Sequence, residues 1–391
     1  MIRGEAEVRR NSDAQPAAAR SAYIHVPFCR HRCGYCNFTL IANRGDLVGN
    51  YLRALEQELS WLESPRTIDT LFIGGGTPTQ LEPAELARLL EIVSRWFPAA
   101  AGAEISLEAN PSDISSEKLR VLRDQGVNRL SLGVQSFDAA KLKFLERDHD
   151  ARIVRRNAQR ALESGFILAI DLIFGVPEET PSIWRRDLEA ALQLQPQHLS
   201  TYGLTWEKGT SFWSRRMRGE LIPMGEEAEA SCYELAIDQL VEAGLQHYEV
   251  SNFARPTFAC RHNQAYWNGR PYFAAGPGAT RFVGGRRETN HRSVTTYLHR
   301  VLAGHSPAFE SEQLGAEDAA RERMVFGLRQ IEGIERHRFH LETGFSLEYL
   351  GGAALETFVA HRLLQWQEQY LRLTRAGLLV SDSIWGHFLR R

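Results

Sequence analysis

Short apolar runs alternate with amphipathic runs over the first 245 residues of the chain. The apolar runs predict strands at 23–26, 70–73, 105–108, 129–134, 169–173 and 198–202. Helical periodicity predicts helices at 47–63, 83–97, 116–125, 138–163, 181–194 and 226–243. This alternation predicts a parallel sheet whose right-handed crossovers curl it into a barrel or part of one. Six units fall short of the eight that close a TIM barrel.

The pattern changes after residue 245, where aromatic and glycine residues become frequent. Beyond about residue 290 the chain turns helical and polar. A long helix is predicted at 353–369, followed by strand, turn, strand and helix over 371–389. These elements predict a small α+β, winged-helix-like domain. The expected division is a flexible tail (1–20), a (β/α)6 domain (21–245) and a C-terminal part (246–391).

Composition places the chain among ordinary globular proteins, with 43% hydrophobic residues and a net charge of −2. So small a charge favours neither nucleic acid nor membranes, and no apolar run approaches the roughly 18 residues of a membrane span. The charged, Ala-rich start is not typical of a secretory signal. A cytoplasmic protein is therefore expected. The winged-helix-like domain is expected to act as a lid or partner surface rather than bind nucleic acid, since no basic stripe accompanies it.

Three of the five cysteines lie within eight residues, as Cys29, Cys33 and Cys36. This C-x3-C-x2-C spacing indicates a metal or iron–sulfur site. Three thiolates on a four-iron cluster leave one iron without a protein ligand, where a substrate or cofactor can bind. The alternative is a zinc site whose fourth ligand is His25, His31 or a distant residue. A disulfide fits poorly because the number is odd.

Polar motifs follow the predicted strands, at the edge where parallel α/β sheets bind ligands. Gly74-Gly75-Gly76-Thr77 would let backbone approach a ligand and leave N–H groups free to bond it, although a tight turn is the simpler explanation. Asp171 interrupts an apolar strand and is expected to face a site, because a buried charge needs a partner. Further candidates are Glu108, Gln135 and Arg147. From the sequence alone, Arg147 is best explained as a surface arginine, whereas Glu108 could bind hydroxyls or a cation or could be a solvated loop charge.

The run from Tyr23 through Pro27 to the three cysteines resembles the cluster-binding loop of radical S-adenosylmethionine (radical SAM) proteins. That resemblance implies an open (β/α)6 partial TIM barrel and a [4Fe–4S] cluster held by Cys29, Cys33 and Cys36. It also implies that the amino and carboxylate groups of SAM chelate the open iron. The residues that the resemblance assigns to SAM are Tyr23, Tyr35, Gly75, Gly76, Thr77, Glu108, Gln135, Arg147 and Asp171.

The order of these motifs is similar to one subgroup, the oxygen-independent coproporphyrinogen III oxidases and the HemW-type haem chaperones. His262-Asn263-x-x-Tyr266-Trp267 resembles the HNxxYW motif of the chaperones, which implies haem as a further cofactor with His262 as its axial ligand. Cys260 is the alternative ligand. Without the resemblance, a packed aromatic hairpin closing the open side of the barrel is the better explanation of this segment.

Two functions follow from the resemblance. One is a haem chaperone that transfers haem to acceptor proteins, with membrane-bound respiratory proteins as candidates. The other is an oxidase that uses a SAM-derived radical to decarboxylate coproporphyrinogen III. The oxidases carry a further cysteine where this chain has Phe38, and they extend further upstream than the 28 residues that precede Cys29. With the HNxxYW motif, these features favour the chaperone. Gly34 departs from the pattern, since many relatives have proline there, and is expected to loosen the loop slightly.

A third function, an electron-transfer or zinc-binding module, belongs to a different class. It would leave the polar residues at the strand ends without a purpose, so it is disfavoured.

Overall fold

A computed structural model describes residues 18–390 of the chain. Residues 1–17 of the predicted tail lie outside the described residues. The strands are β1 (Ser21–Val26), β2 (Phe28–Cys29), β3 (Ile41–Ala42), β4 (Ile68–Gly75), β5 (Ala99–Ala109), β6 (Arg129–Gln135), β7 (Ile167–Phe174), β8 (His198–Gly203), β9 (Gln246–Glu249), β10 (Asn252–Ala254), β11 (Tyr272–Ala275), β12 (Thr280–Val283), β13 (Arg286–Asn290), β14 (Ala308–Gln313), β15 (Ile334–Glu335), β16 (Leu364–Gln367) and β17 (Tyr370–Leu373).

Several helices begin at a proline or directly after a Ser, Thr or Asp residue whose side chain caps the first turn. They are α1 (Val48–Ser60), α2 (Pro83–Trp96), α3 (Ser116–Asp124), α4 (Ala139–Phe144), α5 (Ala151–Glu163), α6 (Pro181–Gln193), α7 (Ser211–Met217), α8 (Glu226–Glu242), α9 (Arg261–Trp267), α10 (Val294–Leu302), α11 (Ala316–Leu328), α12 (Arg336–Thr343), α13 (Leu347–Ala360), α14 (Arg375–Leu379) and α15 (Ser381–Trp385).

Six parallel strands form the centre of a twelve-stranded sheet, in the order β1-β4-β5-β6-β7-β8. All six were predicted from sequence, because strands covered by helices on the outside read as apolar runs. The sheet continues past β8 through β10 and β9, and past β1 through β11 to β14. In the described part of the chain β9 and β14 are unpaired edges, so the barrel is open, as expected. Strands on both sides of the predicted boundary at residue 245 share this sheet, and that boundary stays a prediction.

Two predicted helices were wrong in extent. The helix predicted at 138–163 is two helices, since Glu146 adopts a left-handed backbone (φ 55°) and Asp150 caps a new start at α5. The helix predicted at 353–369 ends at Ala360, two residues before Arg362, whose backbone is also left-handed (φ 56°). Residues 364–373 form the hairpin β16–β17, and the second strand expected after 371 is instead the pair of short helices α14 and α15.

The C-terminal elements follow the order helix, strand, two helices and two strands, from α11 to β17. Their three strands pair in the order β15-β17-β16, which is the winged-helix arrangement that was expected. This domain has its own core, which includes Met324, Phe339, Leu350 and Leu371. No helix in the described range 18–390 is both long and apolar enough to cross a membrane.

Candidate cofactor site at the carboxyl ends of the strands

A cavity of about 1200 Å³ lies at the carboxyl ends of the parallel strands and reaches the segment 378–383 of the C-terminal domain. Its wall contains all three cysteines of the predicted cluster site and most of the residues assigned to SAM. These lining residues are Cys29, Cys33, Tyr35, Cys36, Gly75, Gly76, Thr77, Glu108, Gln135, Arg147 and Asp171. Tyr23 and His262 do not line this cavity. The fold therefore brings together eleven of the thirteen predicted side chains and leaves two elsewhere.

The three cysteines are free thiols at one side of this cavity. Cys29 ends β2, and its Sγ lies 3.4 Å from the Thr77 Oγ1 atom. Cys36 closes a turn by donating its backbone N–H to the Cys33 carbonyl at 3.0 Å. Burial raises the pKa of Cys29 to about 11 and also raises that of Cys36. Both thiols therefore keep their protons until a metal displaces them.

The surroundings of the three cysteines bear on which group they would hold. Among the residues that the structure describes, no three His, Cys, Asp or Glu side chains converge closely enough to hold a single metal ion. Of the two nearby histidines, His25 is bonded to the Thr39 carbonyl at 2.6 Å, whereas His31 Nε2 lies 3.5 Å from the Cys33 Sγ atom and 2.5 Å from the Glu146 carbonyl. The three free thiols on one wall of the cavity would hold a four-iron cluster with one iron left without a protein ligand.

The glycine turn does not offer free N–H groups, and that prediction was wrong. Gly75 N–H donates to the Glu108 carboxylate at 2.8 Å. The N–H groups of Gly76 and Thr77 donate to the carbonyls of Val26 and Phe28, just before Cys29, at 2.8 and 2.7 Å. Gly75 has φ 109°, and a Cβ there would lie 2.4 Å from the His25 ring. The glycines thus bind the turn to its protein neighbours. The Glu108 carboxylate beside this turn is an acceptor that would suit the amino group of SAM, the ligand that the resemblance assigned to Gly75, Gly76 and Thr77.

Glu108 and Asp171 lie on the inner wall of the cavity, on β5 and β7. Burial raises the pKa of Glu108 to about 7, and the nearby negative charge of Asp171 adds to the effect. Burial likewise raises the pKa of Asp171, whose carboxylate accepts a hydrogen bond from the Ser131 hydroxyl at 3.0 Å. Asp171 thus faces the cavity, as its position in an apolar strand indicated, and Glu108 is not a solvated loop charge.

Arg147 is not the surface arginine that the sequence alone favoured. Its guanidinium donates to the Gly133 carbonyl at 2.9 Å and lies 3.6 Å from the Cys33 sulfur. The buried Nε atom of Arg147 has no partner within the described residues. Arg147 lines the cavity, and a guanidinium with an unpartnered donor is suited to bind the carboxylate of a ligand.

Gln135 ends β6 in a left-handed conformation (φ 67°), beside a register shift between Gly133 and Gln135. A non-glycine residue in this region is strained, and such strain is typical of binding sites. The bulge brings the Gln135 side chain into the cavity.

Tyr23 and His262 line a second, smaller chamber of about 200 Å³ inside the barrel. Four residues line both this chamber and the large cavity, namely Glu108, Ser131, Asp171 and Tyr202. The Tyr23 hydroxyl is hydrogen-bonded to His25 at 3.0 Å. His262 lies on α9, which covers the amino ends of the strands, and its ring nitrogens lie 3.0 Å from the Thr70 hydroxyl and 2.9 Å from the Tyr266 hydroxyl. Thr70 and Gly75 are five residues apart on β4, so roughly 16 Å of strand separates the threonine that His262 contacts from the glycine turn.

The segment that contains HNxxYW is therefore not an aromatic hairpin on the open side of the barrel. It is a helix that plugs the opposite end, with Cys260 buried beside Glu104 at 3.4 Å. The local sequence gave no signal of this placement, because Thr70 and Glu104 lie more than 150 residues earlier.

Sequence reasoning also missed residues that hold the cysteine loop from a distance. Glu146 and Phe212 contact Gly34 from the segment after α4 and from α7. The left-handed backbone that ends α4 could not be recognised at a glutamate, because glycine is the usual residue there.

Comparison with known proteins decides the family. A model of the radical SAM superfamily matches residues 23–191, and a model of the HemN C-terminal domain matches residues 314–380. The chain is 36% identical to the heme chaperone HemW of Bacillus subtilis over 376 residues, which is 95% of this chain and 99% of that protein. The chain belongs to the HemW family of radical SAM proteins. A HemW of Mycobacterium tuberculosis is also 36% identical, over 94% of each chain.

A relative of the HemW family in Danio rerio, radical S-adenosyl methionine domain-containing protein 1, mitochondrial, is 33% identical over 95% of this chain and 88% of its own. Among solved structures, coproporphyrinogen III oxidase (HemN) of Escherichia coli matches with a TM-score of 0.84 at 25% identity, over 97% of this chain and 91% of that one. A radical SAM domain implies SAM and a [4Fe–4S] cluster, and the donor set of the large cavity fits both.

Proposed function

We propose that this chain is a haem chaperone that binds haem and a SAM-coordinated [4Fe–4S] cluster and transfers haem to acceptor proteins. The observation that carries the proposal is the similarity to HemW of Bacillus subtilis over 95% of this chain. Phe38 supports it, because this side chain is 63% exposed at the rim of the cavity where the oxidases have a further cysteine.

The residues of the cavity divide the work. Cys29, Cys33 and Cys36 would hold the cluster, which supplies an iron with an open coordination position. Arg147 would bind the carboxylate of SAM, and its Nε atom has no partner among the described residues. Glu108 accepts the Gly75 N–H and so fixes the turn against which the amino group of SAM would lie. Asp171 and Gln135 complete the polar wall.

The cluster assignment is tested with Cys33→Ala. After anaerobic reconstitution this variant is expected to lose most of its iron and its visible absorption, since two thiolates hold a cluster poorly. Cys232→Ala is the matched control, because Cys232 is also buried but lies on α8, outside the cavity wall. Full iron content in Cys33→Ala would contradict the assignment.

That His262 is the axial haem ligand stays a prediction. The surroundings of His262 require a movement of the protein before haem could reach this side chain. The imidazole is buried and bonded on both nitrogens, and its chamber of about 200 Å³ is too small for a porphyrin, so α9 would have to move to admit haem. Haem titration of His262→Ala and Tyr266→Phe decides the matter. Tyr266→Phe disturbs the same plug but keeps the imidazole. A Soret band lost only in His262→Ala supports ligation, and an unchanged band rejects it.

The oxidase is the second candidate, favoured by the fold shared with HemN over 97% of this chain. Reconstituted protein with SAM, a strong reductant and coproporphyrinogen III separates the two functions under anaerobic conditions. The chaperone predicts unchanged substrate and stoichiometric haem binding. Formation of protoporphyrinogen would establish the oxidase.

The proposal places the protein in the cytoplasm, where an oxygen-sensitive cluster is best protected. Its partners would be haem and haem-accepting proteins, with membrane-bound respiratory proteins among the candidates. Haem transfer is tested by incubating haem-loaded protein with isolated membranes and following haem into the membrane fraction. Retention of all haem by the protein would contradict this choice of acceptor.

A further inference from the structure

The middle of the cysteine loop is bound to two distant segments through one glycine. Gly34 N–H donates to the Glu146 Oε2 atom at 2.7 Å, and the Gly34 carbonyl accepts a hydrogen bond from the Phe212 N–H at 2.8 Å. Gly34 directly follows Cys33, so both bonds act next to a cluster ligand. The loop is thus held in place by side-chain and backbone groups outside it.

Only glycine fits this position. A Cβ on Gly34 would lie 2.3 Å from the Phe212 ring, and Phe212 is fully buried in a cluster with Leu145 and Ile173. A proline at this position would also remove the N–H that Glu146 binds. This chain therefore lacks the stiffness of a proline and has a hydrogen bond to a carboxylate in its place.

Glu146 makes this contact while its own backbone is in a strained conformation. Its φ of 55° lies in the left-handed region, which glycine adopts more easily. Its carbonyl accepts a hydrogen bond from His31 Nε2 at 2.5 Å and lies 3.8 Å from the Cys33 Sγ atom. Side chain and backbone of Glu146 therefore bind the cysteine loop at three points. A glycine at this position would relieve the backbone but lose the bond to Gly34.

We infer that Glu146 is a positioning residue for the cysteine loop. Its carboxylate fixes Gly34, and with it Cys33, in the conformation that the cluster requires, and it does so where a proline at position 34 would otherwise stiffen the loop. Gly34 and Glu146 form a matched pair in this chain. The inference rests on the cluster ligation proposed above, but the effect on the loop exists before any iron is bound.

The first test uses the iron-free protein. Hydrogen–deuterium exchange of peptides covering 29–40 is expected to be about threefold to tenfold faster in Glu146→Ala, the range that corresponds to one lost hydrogen bond. Glu146→Gln keeps an acceptor oxygen and is expected to stay close to wild type. Glu178→Ala is the matched control, since Glu178 is also exposed and left-handed (φ 64°) but lies after β7 and outside the cavity wall.

The second test uses anaerobically reconstituted protein and the rate of iron release to a chelator. Glu146→Ala is expected to release iron several times faster than wild type and than Glu178→Ala. Exchange in Glu146→Ala equal to wild type would overturn the inference, as would a Glu146→Gln variant as impaired as Glu146→Ala. If the wild-type protein takes up no cluster, the proposed function fails, while the exchange experiment still decides the role of Glu146.

Discussion

Glu108 is the residue at which burial most affects the chemistry of the cofactor cavity. Its pKa of about 7 means that the carboxyl changes charge near neutral pH. SAM carries a sulfonium cation, so the ionised carboxylate should bind it better. We expect the affinity of wild type for SAM to rise about tenfold from pH 6 to pH 8 through this group alone.

Equilibrium dialysis with SAM over this pH range measures the effect. The amino group of SAM contributes its own titration equally to wild type and variant. The difference between wild type and Glu108→Gln therefore isolates the contribution of Glu108. That variant should bind SAM weakly and lose the tenfold increase. Glu163→Gln, at the end of α5 and outside the cavity wall, should behave as wild type. The same pH profile in Glu108→Gln and wild type would show that Glu108 does not titrate in this range.

At the scale of elements, the six central strands were predictable because each is a buried apolar run between amphipathic helices. The cluster cysteines were predictable because their spacing is local. What could not be predicted depends on contacts distant in sequence. The N–H groups of the glycine turn donate to the Glu108 carboxylate and to the carbonyls of Val26 and Phe28. The ends of α4 and α13 depend on left-handed residues, Glu146 and Arg362, whose side chains give no signal of that conformation.

Helix α9 joins the two parts of the molecule. His262 and Tyr266 face the barrel. The guanidinium of Arg329 lies over the Trp267 ring at 4.6 Å, and the Trp267 backbone carbonyl accepts a hydrogen bond from Arg323 at 3.0 Å. Arg323 belongs to α11, the first helix of the C-terminal domain, and Arg329 directly follows that helix. The HNxxYW segment therefore connects the barrel end to the C-terminal domain.

Trp267→Leu should loosen this connection. We expect a loss of about 2 kcal/mol of stability, from the cation–π contact and the lost aromatic packing. Limited proteolysis should show faster cleavage between β14 and α11. The control is Trp366→Leu, since Trp366 lies under Arg336 at 4.2 Å within the C-terminal domain itself. Equal cleavage of both variants at this connection would mean that Trp267 does not join the two parts.

For the whole molecule, buried neutral histidines make stability depend on pH. Burial lowers the pKa of His262 from 6.5 to about 3, and those of His25 and His247 to about 4. Unfolding lets these groups take up protons below pH 6.5, so their contribution to stability is complete above that pH and is lost as pH falls. The raised pKa of Glu108 acts in the opposite direction between about 4.5 and 7, so the slope of wild type alone does not isolate one histidine.

His262→Gln isolates that single contribution. At pH 7.5 the variant should be about 1–3 kcal/mol less stable than wild type, because Thr70 and Tyr266 lose a well-placed partner. Below pH 6.5 wild type loses about 1.4 kcal/mol per pH unit through His262 and the variant does not, so the deficit should shrink by about 1.4 kcal/mol between pH 7.5 and pH 5.5. Urea denaturation at pH 7.5 and 5.5 measures this. If the deficit stays constant, His262 is protonated easily in the folded protein. An imidazole so accessible to solvent would favour the role of His262 as a haem ligand.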